Sequence, residues 1–144
     1  MKKFLFMMLS AGIISLPSLA DDVNNTKNEA KQVKQEVKEE KQENNLEQQI
    51  EKLAKEYGCS GCHAVDKVVA GPPYRVIAKE YKDKPNAKET LVKSVLGGSM
   101  MKWQAKAKKY GIKIKMAYMP AQHGVDKEKA EKIIELILKL DTDK

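Results

Sequence analysis

Apolar residues at Leu46, Ile50, Leu53 and Tyr57 recur at three- and four-residue intervals, which marks one buried helical face that Gly58 is placed to end. Pro72 and Pro73 suit the start of a second helix carrying Tyr74, Val76, Ile77 and Tyr81. Asn86 with Glu89 three residues on has the form of a capping box. It opens a third helix through Leu91, Val92, Val95 and Leu96, closed by Gly97-Gly98. Asp126 is a good N-cap for a last helix with Ala130, Ile133, Ile134, Ile137, Leu138 and Leu140 on a broad apolar face. Between these, residues 104–118 read as a short helix ending at Gly111, then an extended piece over 112–115. No run alternates convincingly with period two. The pattern predicts an all-α domain of about four short helices over residues 46–144.

Two segments precede that domain. Lys2 and Lys3 lead an apolar run from Phe4 to Leu16, and Ser18 and Ala20 form a small-x-small site. This is the layout of a signal peptide over 1–20, removed after about Ala20. Its 13-residue apolar run makes a helix only about 20 Å long, short for the hydrocarbon core, so a retained anchor is the competing reading. Residues 21–45 carry seven acidic residues and five lysines, with Val23, Ala30, Val33 and Val37 as the apolar side chains. So little apolar surface predicts a solvated, disordered tether. A fluctuating or partner-induced helix competes, because Ala30, Val33 and Val37 keep helical spacing and Lys and Glu favour helix.

Composition narrows the function. At 144 residues the chain allows one domain, and its two cysteines exclude a disulfide-stapled miniprotein. The net charge of +7 resides in residues 46–144, which hold 20 basic and 13 acidic side chains. Four short helices bury a thin core, and small domains of this kind need a staple. No spare disulfide supplies one.

Cys59-Ser60-Gly61-Cys62-His63 reads C-x-x-C-H, the attachment signature of c-type haem. Residues three and four apart share a helical face, so both thiols reach the vinyl groups of one porphyrin edge. His63 then lies beneath the iron as proximal ligand, and Gly61 keeps the backbone close to the macrocycle. A dithiol redox pair would need a βαβ setting, which is missing. A zinc site would need a second ligand pair, and His123 stands alone. One haem c per chain, covalently attached, is the expected cofactor.

From Leu46 to Leu140 the chain resembles the small bacterial monohaem class I cytochromes c. The resemblance rests on C-S-G-C-H after an N-terminal helix, on Gly71-Pro72-Pro73-Tyr74, on Gly97-Gly98-Ser99 leading to Trp103, on Met119-Pro120, and on an apolar C-terminal helix. It implies the class I cytochrome c fold around one haem. It also implies that the Pro72 carbonyl accepts from the proximal imidazole, and that Met119 is the sixth ligand on the distal face. Met116 and His123 are the alternatives to Met119, and core packing is the alternative to a haem-propionate contact for Trp103. One departure stands out: Trp103 and Met119 are sixteen residues apart, against a few in compact members.

From Met100 to Val125, around the inserted piece at 104–118, there are lysines 102, 106, 108, 109, 113 and 115 and no acidic residue. A solvated face is the plain interpretation; a ring around the haem edge that meets acidic redox partners is the functional one. Nucleic acid is a poor partner, since Arg75 is the sole arginine and no recognition motif occurs. The expectation is an exported, periplasmic carrier of single electrons, not an enzyme, with no small-molecule substrate. The alternative is a haem protein whose exchangeable sixth site binds a small gas or peroxide.

Overall fold

A long first helix, α1, runs from Asp22 to Glu56 in the computed structural model, which describes residues 22–143. The signal peptide expected over 1–20 lies outside the described residues. The chain divides into two compact units, residues 1–36 and 37–144, and the site lies wholly in the second. Where a disordered tether is expected over 21–45, the described residues are helical from Asp22 onward. Glu, Lys and Gln are good helix formers, and no Gly or Pro interrupts residues 22–56.

Arg75 adds a tertiary reason at the C-terminal part of α1. Its guanidinium meets Glu43 at 2.9 Å, Glu47 at 2.5 Å and Asp66 at 2.5 Å, and also donates to the Asp141 carbonyl. Burial works against the charge of Arg75, but hydrogen bonds to Asp66, Glu43 and Glu47 outweigh it and raise its pKa. A chain segment that looks solvated by composition is thus tied down at Glu43 by an arginine 32 residues away.

Helices α2 (Tyr74–Tyr81), α3 (Ala87–Gly97), α4 (Gln104–Lys109) and α5 (Lys127–Leu138) follow, close to the predicted spans. Asp126 caps α5 as expected, its side chain accepting from the Lys129 N–H at 2.8 Å. The capping box at Asn86 does not form. Asn86 adopts a left-handed conformation with φ 58° and makes no side-chain cap bond, so the tight turn after Lys84 takes precedence over the cap. Gly58 and Gly98, at φ 73° and 72°, end α1 and α3 in the region that glycine reaches without penalty.

Helix α5 packs against α3 and α2. The core joins Ile50 and Leu53 of α1, Ile77 of α2, Val95 of α3 and Ile134 of α5, with Ile50 fully buried. A two-stranded antiparallel ribbon, β1 (Ser99–Met100) and β2 (Tyr118–Met119), pairs Ser99 with Met119 and Met100 with Tyr118. Strands of two residues carry no alternation, so the pattern of apolar positions does not reveal them. Their effect is to bring both ends of the insertion together.

Candidate functional site

The C-x-x-C-H segment folds as a tight 3₁₀ turn over Cys59–Gly61. The Cys62 and His63 N–H groups both donate to the Cys59 carbonyl, at 3.1 and 3.0 Å, which turns the two cysteines and the histidine toward one space. The Ala70 and Gly71 N–H groups donate to the Cys62 carbonyl and draw the following loop back under the ring. A Cβ on Gly71 would lie 2.6 Å from His63 Cε1, so only glycine lets the chain pass so close.

His63 is buried, and its Nδ1 lies 2.7 Å from the Pro72 carbonyl oxygen. A carbonyl only accepts, so Nδ1 carries the proton and Nε2 is left with a free lone pair. Burial pushes the imidazole below its ordinary pKa, against the opposing effect of the Pro72 hydrogen bond. Tyr74 stacks on the ring with centroids 5.5 Å apart. The Tyr74 hydroxyl is buried without a hydrogen-bond partner among the described residues, and burial raises its pKa.

These groups form one wall of a cleft with about 1060 Å³ of space, its open mouth included. Cys59, Cys62, His63, Pro72, Trp103 and Met119 all line it. So does Met116, whereas His123 is exposed and off the lining. Met119 is half-buried and held by the ribbon opposite Ser99, and Gly98 passes its carbonyl so closely that a Cβ would lie 2.7 Å away. Ile77, Leu91, Val95, Ile133, Ile134 and Ile137 supply apolar sides. Trp103 faces both the cleft and Tyr81, whose ring centroid is 6.3 Å away, so packing and lining coincide in one residue.

The lysine cluster is less uniform than its sequence suggests. Lys109 pairs with buried Glu80 at 2.9 Å, Lys106 donates to the Tyr81 hydroxyl at 2.6 Å, and Lys102 donates to Ser94 at 2.9 Å. Lys108, Lys113 and Lys115 are exposed without a side-chain partner among the described residues. Sequence reasoning missed Glu80 as the buried counter-charge, because it follows Lys79 in a helix that also carries Arg75, and nothing in that local pattern marks one charge as buried. It also missed the Tyr74 stack, although Gly71-Pro72-Pro73-Tyr74 fixes where that ring falls.

Two thiols, an imidazole with a free nitrogen and a thioether around an apolar cleft fit an iron porphyrin held by two thioether bonds. Fold and site together define a c-type haem protein. The cytochrome c family model matches residues 48–141, and the chain belongs to that family, whose cofactor is covalently bound haem c. Cytochrome c2 of Rhodocyclus tenuis is 38% identical over 88 residues, 61% of this chain and 88% of that protein. Cytochrome c-551 of Pseudomonas aeruginosa is 34% identical over 53 residues, covering 37% of this chain and 51% of its own. The crystal structure of Nitrosomonas europaea cytochrome c552 matches with a TM-score of 0.52 at 31% identity, over 62% of this chain and 98% of that one. The class I cytochrome c fold expected from the sequence is the fold observed.

Proposed function

We propose that the protein is an exported, periplasmic carrier of single electrons whose haem iron is held by His63 and Met119. The observation that carries the reading is the shared cleft: Cys59, Cys62 and His63 on one wall, Met119 on the same lining, apolar side chains between. When bound, the haem supplies a one-electron couple between ferric and ferrous iron. Cys59 and Cys62 would anchor it through thioether bonds. The Pro72 carbonyl fixes the His63 tautomer and raises the basicity of the ring, which favours a firm proximal bond. Met119 would hold the iron as its second protein ligand and leave no position for a small substrate. Burial of Met119 and its fixed place in the ribbon support it over His123, which is exposed. Trp103 would contact a haem propionate from the lining. The exposed Lys108, Lys113 and Lys115 would orient acidic redox partners.

A potentiometric titration of the mature haem protein tests the carrier. The expected result is one reversible transition with a one-electron slope, and no turnover of added peroxide. Sustained peroxide consumption would favour the exchangeable sixth site instead.

A further inference from the structure

We propose that residues 70–81 grip the insertion 104–118 and through it Met119, so that the segment fixing His63 also keeps the sixth position closed to external ligands. The proposal rests on the reading of Met119 as an iron ligand and names the positioning residues that hold it there. The Ala70 carbonyl accepts from the Lys115 and Met116 N–H groups at 2.8 and 3.1 Å, while the Ala70 N–H donates to the Cys62 carbonyl at 3.1 Å. One residue thereby ties the C-x-x-C-H turn to the insertion. Gly71 and Pro72, which set the place and tautomer of His63, follow it directly. Met119 comes three residues after Met116, in β2.

Two further grips lie on α2. Glu80 accepts from Lys109 and from the Tyr110 hydroxyl, both at 2.9 Å, and the Tyr81 hydroxyl accepts from Lys106 at 2.6 Å. These polar contacts matter because α4 buries only Ala107, so apolar packing gives the insertion little hold. A connection with so little buried surface opens readily unless it is tied. At its far end the Met101 N–H donates to the Ala117 carbonyl at 2.7 Å. Met101 takes φ 57° there, a left-handed conformation uncommon for a residue with a side chain, beside the ribbon that carries Met119.

The grips have a chemical consequence. An external ligand reaches an iron held by Met119 only in the fraction of molecules where Met119 has let go, and its apparent affinity scales with that fraction. Freeing the insertion raises the fraction, while Gly71 and Pro72 still hold His63. The contacts of residues 70–81 with the insertion therefore set how firmly the sixth position is closed.

The test titrates the full, ferric, haem-loaded chain with imidazole, followed by its absorption spectrum, beside denaturant melts of the same proteins. Lys115→Pro removes the N–H that lies 2.8 Å from the Ala70 carbonyl. Lys109→Gln with Tyr110→Phe removes the grip on Glu80 and leaves the backbone bonds intact. Each should raise the affinity for imidazole about three- to tenfold. Lys115→Gln keeps the N–H and should bind imidazole as wild type does. Ile50→Val, a core change away from the cleft lining, should lower stability without changing that affinity. Combined with Met119→Ala, the insertion substitutions should add nothing, because no ligand is left to release. Wild-type affinity in both insertion variants overturns the proposal, and so does an equal gain in Ile50→Val. Should Lys115→Pro not fold, the Lys109 and Tyr110 variant decides by itself. Met119→Ala that binds imidazole no better than wild type overturns the ligand reading and this proposal with it. Silent insertion variants beside an open Met119→Ala overturn the grip alone.

Discussion

At the scale of single residues, the two lining methionines separate by their surroundings. Met119 is half-buried and paired in the ribbon, while Met116 is 39% exposed. Met119→Ala is expected to open the iron to carbon monoxide and to lower the potential, because a thioether ligand favours the reduced state. Met116→Ala should change neither. The ferrous spectrum under carbon monoxide, recorded for both variants, decides between them, and the reverse outcome assigns the ligand to Met116. That His63, Cys59, Cys62 and Met119 line one cleft was legible because each belongs to a short motif whose spacing has a chemical reason. The conformation of Met101 was not, since the tertiary fold imposes it on a residue type that rarely adopts it, and at Asn86 the capping-box reading hid a residue type that adopts it more readily.

Among elements, the contact between α2 and the insertion turns on one carboxylate. Glu80 is buried and accepts from Lys84, from Lys109 at 2.9 Å and from the Tyr110 hydroxyl at 2.9 Å. The Lys84 hydrogen bond, with help from Lys109 and Tyr110 and against the cost of burial, holds its pKa down at about 2 from an ordinary 4.5. A carboxyl with a lowered folded pKa stabilises the protein above its unfolded pKa, and that stability is lost as pH falls toward the folded value. Unfolding free energy should therefore decline between about pH 4.5 and 2, and Glu80→Gln should flatten that decline. At neutral pH the substitution is expected to cost about 1–3 kcal/mol. Denaturant melts across the range give the answer, and an equal decline in both proteins would remove Glu80 from the account. The helices themselves were legible from apolar periodicity, because α2, α3 and α5 each bury one face. Helicity over 22–45 was legible only as the competing reading, from the helical spacing of Ala30, Val33 and Val37; what local composition cannot supply is Arg75, the partner of Glu43.

For the whole molecule, the positive charge is what a partner meets from a distance. Lys109 is paired with Glu80, and the hydroxyls that Lys102 and Lys106 meet leave their charge in place; the exposed lysines of the insertion with no side-chain partner among the described residues are Lys108, Lys113 and Lys115. Replacing those three with Gln should slow reaction with an acidic redox protein about tenfold at low salt, and much less once the Debye length shrinks to about 3 Å at 1 M. The spectrum and potential should be retained. A rate insensitive to both substitution and salt would reduce the lysines to a solvated face. The central claim, that both sides of the iron are closed by residues of this chain, is tested most directly by the absorption spectrum of the reduced, haem-loaded protein with and without carbon monoxide. A low-spin spectrum unchanged by the gas is the result the account requires. A shift to a carbon monoxide complex in the wild-type protein would contradict it.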